Sequence, residues 1–280
     1  MGWPGVGELG EAVAVMREWQ QDGAPSQLHP GDLGWFWRFG AEATAAAVRT
    51  WRRHGQILAV GLLDGPGLLR LTTAPDAARD EELARQLAKD MTTVLPAGQV
   101  ALEAPKGALV KELLSEDGWT VGERWTPLRR DLTELVPDAG VRVEVVGPEQ
   151  AHLLATLLRA SFDRSTFTDE RWQAMAAGPA YADARCLVAY DDRDDPVATV
   201  TVWSAGPGRP GLLEPMGVHR DHRGQGHGRA ISLAAAAVLR ELGSSSAIVA
   251  TPSANVGGVA TYMSAGFRKL PEIRDLCRDA

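Results

Sequence analysis

Apolar and polar positions change period several times along the second half of the chain, and each change marks an element. Residues 142–146 alternate, the two-residue period of a half-buried strand. Pro148 suits the first turn of a helix reaching to about residue 160. Thr168 is placed to cap a helix over 168–177, with Arg171 where a capping box would have Glu. Residues 186–190 and 197–203 read as strands joined by a solvated turn over 191–195. A Gly/Pro loop over 206–210 precedes a third strand, 212–218. An alanine-rich helix then runs from His227 to about Leu242, with Gly243 as its C′ residue. A short strand over 247–250, a helix bearing Asn255 and Tyr262, and Gly266-Phe267 complete the run before a closing strand pair. This order predicts an α/β fold with a mixed α+β sheet.

Two features of strand 212–218 bear on chemistry. Alternation puts Glu214, Met216 and Val218 on one side. Pro215 lacks an N–H and fits a strand whose ladder to the next strand is broken. Immediately after it, Arg223, Gly224, Gln225, Gly226, His227, Gly228 and Arg229 form an R-x-x-G-x-G turn at a helix start. Backbone N–H groups converging there, with the helix dipole behind them, favour a diphosphate, and glycine keeps a Cβ out of its way. No Gly-Lys-Ser/Thr follows, so the turn is not a Walker loop. Its spacing, with no acidic residue closing a βαβ unit, is not the dinucleotide fingerprint either.

The turn resembles the pyrophosphate loop of the GNAT superfamily of N-acetyltransferases, and the later Asn255…Tyr262…Gly266-Phe267 segment resembles the one that ends that family's cofactor site. Asn255 and Tyr262 are two helical turns apart and share a face. The close resemblance covers residues 211–268. It implies acetyl-CoA as cofactor, with backbone groups of Met216, Gly217 and Val218 on the pantetheine arm. The diphosphate would lie on Arg223, Gly224, Gln225, Gly226, His227, Gly228 and Arg229, and Asn255 and Tyr262 would complete the site. It implies Glu214 as base toward an amine and Tyr262 as acid toward the departing thiolate. His219 is a possible second base on the opposite side, and His222 and His227 are expected to be solvated on the loop. Flexible glycines and the lack of a fixed acidic partner argue against a metal held by these three histidines.

The first half repeats the second. With a shift of 144 residues, Gly67-Leu68-Leu69 falls on Gly211-Leu212-Leu213, Arg79 on Arg223 and Arg85 on Arg229; with 148, Gly118-Trp119 falls on Gly266-Phe267. The chemistry is not repeated. Asp80-Glu81-Glu82 replaces Gly224-Gln225-Gly226, Arg70 stands at Glu214, Gly107 at Asn255 and Leu114 at Tyr262. Two tandem GNAT-like domains follow, each a mostly antiparallel splayed sheet flanked by helices. Residues 1–138 form a degenerate copy without a cofactor loop, and residues 139–280 form the catalytic copy. This layout resembles that of mycothiol synthase. Seven of the nine tryptophans lie in residues 1–125, and Trp35, Trp37 and Trp51 are expected in a core or an interdomain seam rather than a ligand box.

Composition narrows the rest. Net charge is −7, with −6 in residues 1–138, which leaves no basic surplus for nucleic acid. No apolar run has membrane-spanning length and no signal peptide is visible. Cys186 and Cys277 lack metal spacing and fit a cytoplasmic protein with reduced thiols. The expected partner is a small-molecule or peptide amine, on a monomer or homodimer, with Ser161, Phe162, Asp163 and Trp172 near the acceptor. A non-catalytic acyl-CoA-binding module is the alternative.

Overall fold

The computed structural model describes residues 1–24 and 28–279. The two halves share a core order of leading helices, three strands, helix, strand, helix and strand. The first run comprises helices α1 (Leu9–Trp19), α2 (Pro30–Phe36) and α3 (Ala41–Ala47), strands β1 (Val48–Arg53), β2 (Gln56–Leu63) and β3 (Leu68–Thr73), helix α4 (Glu81–Val94), strand β4 (Val100–Glu103), helix α5 (Leu109–Glu116) and strand β5 (Thr120–Asp131). The second comprises strand β6 (Val143–Val145), helices α6 (Ala151–Ser161) and α7 (Asp169–Ala176), strands β7 (Ala184–Tyr190), β8 (Pro196–Ser204) and β9 (Gly211–Val218), helix α8 (His227–Glu241), strand β10 (Ser246–Pro252), helix α9 (Val256–Ser264), and strands β11 (Arg268–Lys269) and β12 (Ile273–Arg278). The counterpart of β6 in the first run is reduced to a single bridge, in which the Gly2 and Thr50 backbones exchange hydrogen bonds of 2.7 and 3.0 Å.

Local signals act as their chemistry requires. Thr168 Oγ1 accepts from the Arg171 N–H at 3.3 Å and caps α7. Gly243 ends α8 at φ +82°. Asp191 Oδ1 accepts from the Arg193 and Asp195 N–H groups, each at 2.9 Å, and closes the β7–β8 hairpin.

All strands join one sheet in the order β1-β2-β3-β4-β12-β5-β10-β9-β8-β7-β6, with β11 beside β5. Pairing is antiparallel except β3–β4 and β9–β10, which are parallel and equivalent in the repeat. The halves exchange their last strands. β12 enters the first half between β4 and β5, while Trp125–Asp131 of β5 pairs with β10 of the second. The two closing strands expected after α9 are present as β11 and β12. The place beside β10 is taken by β5, so β11 and β12 each pair with β5 instead.

One apolar cluster fuses the halves. Leu33 and Trp37 share it with Phe167, Trp172 and Trp203. Glycines make the contact close: a Cβ on Gly34 would lie 2.3 Å from Trp203 Cζ3, and one on Gly178 2.7 Å from Trp37. Trp37 is thus a seam residue and Trp51 a core residue whose indole N–H donates to Asp90 at 2.8 Å. A second cluster lies under α8, around Ile231, Leu239 and Phe267.

Candidate active site

β9 and β10 stay paired only at Gly211↔Ala247 and Leu212↔Ile248, and diverge beyond them. Met216, Gly217 and Val218 pair with β8 on one side and have no ladder partner on the β10 side. The register of β8 against β9 shifts between Val200 and Val202, so Glu214-Pro215 forms a bulge. The bulge corrects the simple alternation. Leu213, Met216 and Val218 pack into the α8 cluster, whereas the Glu214 carboxyl approaches Asp32 and Arg70 of the first half. Trp203 donates its indole N–H to the Glu214 carbonyl at 2.7 Å, which satisfies the backbone where the bulge breaks the ladder.

The glycine turn reaches the start of α8 with Gly224 at φ +78° and Gly226, the N-cap, at φ +90°. Among the described residues no side chain caps α8, so its first amides carry no capping side-chain oxygen. Arginine side chains hold the turn in place. Arg223 donates to the Ser161 carbonyl at 2.7 Å, and Arg220 to those of Arg159 and Ala160 at 3.0 and 2.9 Å. These are orphan carbonyls at the end of α6, where cations are favoured. Gly228 serves packing rather than the turn, since a Cβ there would meet Thr261 Cγ2 at 2.7 Å. Gly217 likewise lets α6 cross β9, with Ser161 Cβ 2.6 Å from where its Cβ would be. His227 is not solvated: it is the first residue of α8 and is buried. His222 is partly exposed, 3.9 Å from Asp191.

Asn255 Oδ1 accepts from the Gly258 N–H and its Nδ2 donates to Thr251, both at 3.0 Å, so its side chain caps α9. Tyr262 is buried against Phe267. Asn255, Tyr262, Met216 and Glu214 line one cavity of about 480 Å³ that opens between β9 and β10 and extends to the first half. There it meets Asp32, Asp64, Arg70 and Glu103. Arg70 lies 2.8 Å from Asp32, 2.9 Å from Glu103 and 3.7 Å from Asp64. Burial and then the charge of Asp32 raise the Glu214 carboxyl well above the ordinary carboxylate range, against the pull of Arg70. Burial, and secondarily Glu214, raise the Tyr262 hydroxyl. His29 anchors α2 to the start of β9. Its Nδ1 accepts from the Gly31 N–H at 2.9 Å, and its Nε2 lies 3.1 Å from the Pro210 carbonyl. Burial lowers it to about 4, so it is neutral.

Sequence alone missed Asp32, Asp64 and Glu103. Arg70 was visible as the residue aligned with Glu214, but not as its neighbour. In the first half the start of α4 is closed. Asp80 caps it by accepting from the Leu83 N–H at 2.7 Å and is itself gripped by Arg53 through two 2.8 Å bonds. Ser161 is buried beside Gly217, and Phe162 lines the cavity wall. Asp163 is solvent-facing, 3.5 Å from Arg220. Trp172 packs in the core against Tyr181. Among the described residues no group of three or more His, Cys, Asp or Glu is placed to hold a metal, and no helix is long and apolar enough to cross a membrane.

Residues 151–267 match the model of the Acetyltransferase (GNAT) family. A tandem GNAT protein from the clavulanic acid biosynthesis pathway is similar along the whole length, with TM-score 0.60 at 16% identity over 98% of this chain and 94% of that one. A GNAT-family acetyltransferase from Colwellia psychrerythraea gives 0.58 at 16% identity, covering 99% and 97%. A GCN5-related N-acetyltransferase from Kribbella flavida gives 0.58 at 20%, covering 84% and 91%. At these identities the likeness establishes the fold, two GNAT-like domains in tandem. No curated protein matches the sequence.

Proposed function

We propose that the protein is an acetyl-CoA-dependent N-acetyltransferase with one active site, in the copy spanning residues 139–280, and that residues 1–138 are a degenerate copy without a cofactor loop. The observation that carries this is the gap between β9 and β10, which opens onto a cavity lined by both Glu214 and Tyr262. The residues present fit acetyl-CoA. The β9 edge at Met216, Gly217 and Val218 is free for the pantetheine, and the uncapped start of α8, with the turn from Arg223 to Arg229, is free for the diphosphate. When bound, acetyl-CoA supplies the activated acyl thioester. Glu214 takes the proton of the incoming ammonium, directly or through water. Its raised affinity for a proton brings it nearer to that of an amine, which suits a general base. Tyr262 holds the proton that the departing thiolate needs, and burial keeps that hydroxyl protonated.

Titration calorimetry with acetyl-CoA is expected to give one site per chain, because Asp80 and Arg53 close the equivalent end of α4. Two equivalent sites would refute this. Thiol release over a panel of amines tests the reaction. Tight CoA binding with no turnover on any amine would favour the non-catalytic acyl-CoA-binding module.

A further inference from the structure

A second cavity, of about 390 Å³, lies on the other side of Phe162 and Pro215, which line both cavities. One wall is the turn that follows α2, and the other is the loop joining α6 to α7. Its charge has one sign. Arg38, Arg164 and Arg171 line it and no carboxylate does. Among the described residues none of the three forms an ion pair.

Arg38 is held as a binding group would be. Its guanidinium lies over two rings, 4.1 Å from the Trp35 ring centre and 4.2 Å from that of Phe39. Nη1 donates to the Trp35 carbonyl at 2.7 Å, and its other donors make no hydrogen bond among the described residues. Burial lowers Arg38 to about 10. The charges of Asp64 and Glu214 oppose that shift and Arg171 adds to it. Arg38 therefore feels the catalytic cavity on one side and a second guanidinium on the other. Phe39 and Phe162, 42% and 40% exposed, are among the few exposed large apolar side chains, and both border this cavity. Unpaired guanidiniums among aromatic rings suit a planar anion on an apolar body.

We propose that the acceptor is an amine carrying a carboxylate on an apolar or aromatic body. Arg38 and Arg171 hold the carboxylate, Arg164 stands at the rim, and the amine passes Phe162 to reach Glu214. This rests on the acetyltransferase reading, so the test separates the two. In the binding arm, 4-methylbenzoate, which has no amine, is expected to bind the full-length protein. Arg38→Met and Arg171→Met are each expected to weaken it about 10- to 100-fold, the loss of one charge-assisted contact. Arg164→Met, at an exposed rim position, leaves the fold intact and is expected to weaken it several-fold even if the Arg38 variant unfolds. In the turnover arm, kcat/KM for 4-(aminomethyl)benzoate is expected to exceed that for 4-(aminomethyl)benzamide by at least about 10-fold, and Arg171→Met to remove the difference. Equal use of acid and amide, or 4-methylbenzoate binding untouched in all three variants, overturns the proposal. Inorganic phosphate displacing 4-methylbenzoate at lower concentration overturns the choice of a carboxylate. Arginine-dependent binding of 4-methylbenzoate with no transfer to any amine keeps the anion site and refutes the acetyltransferase reading.

Discussion

Replacing Arg70 by Met should destabilise the protein, with a pH dependence that identifies the cause. Arg70 is the cation among Asp32, Glu103 and Asp64 at 2.8, 2.9 and 3.7 Å, and it also offsets the charge of Glu214. The Asp32 side chain is only 1% exposed, so water cannot take over the role. Removing one partner of a buried pair costs about 3–5 kcal/mol, because the other charge stays buried. At roughly 2–4 °C per kcal/mol for a chain approaching this size, the melting temperature should fall by about 6–20 °C. The sign with pH follows from linkage. Glu214 already has a raised affinity for its proton in the folded state, and losing Arg70 raises it further. Such a group costs nothing while it is protonated in both states. Both proteins bear that cost once pH passes the unfolded value, near 4.3, so the deficit between them opens only above the folded value of the wild type and is complete above the higher folded value of the variant. The deficit should therefore be larger at pH 8 than at pH 5. Calorimetric melting of both proteins at the two pH values is the assay. A loss under about 2 °C at both, or a deficit that widens toward acid, would refute the role given to Arg70.

Substitutions at three further positions test other parts of the structure. Gly226→Asp should weaken CoA by at least ~2 kcal/mol in calorimetry, through lost phosphate contacts and added repulsion. Gly226→Asn, which tolerates the same left-handed backbone without the charge, should lose much less affinity, and equal CoA affinity in wild type and the Asp variant would mean the loop is misassigned. Tyr262→Phe keeps the packing against Phe267 and should lower turnover by about 10²–10⁴-fold with little change in CoA affinity; full activity at saturating amine would leave Tyr262 a packing residue. Gly34→Ala pushes a methyl into Trp203 and should cost about 1–3 kcal/mol in denaturant unfolding, whereas a neutral result would mean the seam yields.

The elements of the second half were legible because each carries a local signal: Thr168 at a cap, Gly243 at a helix end, Asp191 in a hairpin turn. The glycine turn was legible for the same reason. Strand exchange was not, because β5 and β12 have no feature that states which sheet receives them. The bulge at Glu214-Pro215 was half visible. Pro215 announced a broken ladder, yet simple alternation still put Glu214 with Met216. A bulge adds one residue and reverses the phase, and only the register against β8 reveals it. His227 seemed exposed because its neighbours are glycines, but the first turn of α8 carries it inward.

Arg70 makes the first half part of the Glu214 cavity although that half lacks the glycine turn. β3 and β9 are equivalent strands, and each runs parallel to its neighbour over a short stretch, Leu68–Arg70 of β3 against β4 and Gly211–Leu212 of β9 against β10. Equivalent positions on them, Arg70 and Glu214, reach the same cavity from opposite halves. Two glutamates there would repel at short range in a buried space; an arginine in one copy makes the pair attractive and tempers the proton affinity of the other. The same half supplies the strand that completes the sheet beside β10, and the helix whose Asp32 borders Glu214. In the first half Asp80 caps the start of α4, yet the electrostatic and packing roles of that half stand, because they depend on β3, β5 and α2 rather than on the start of α4.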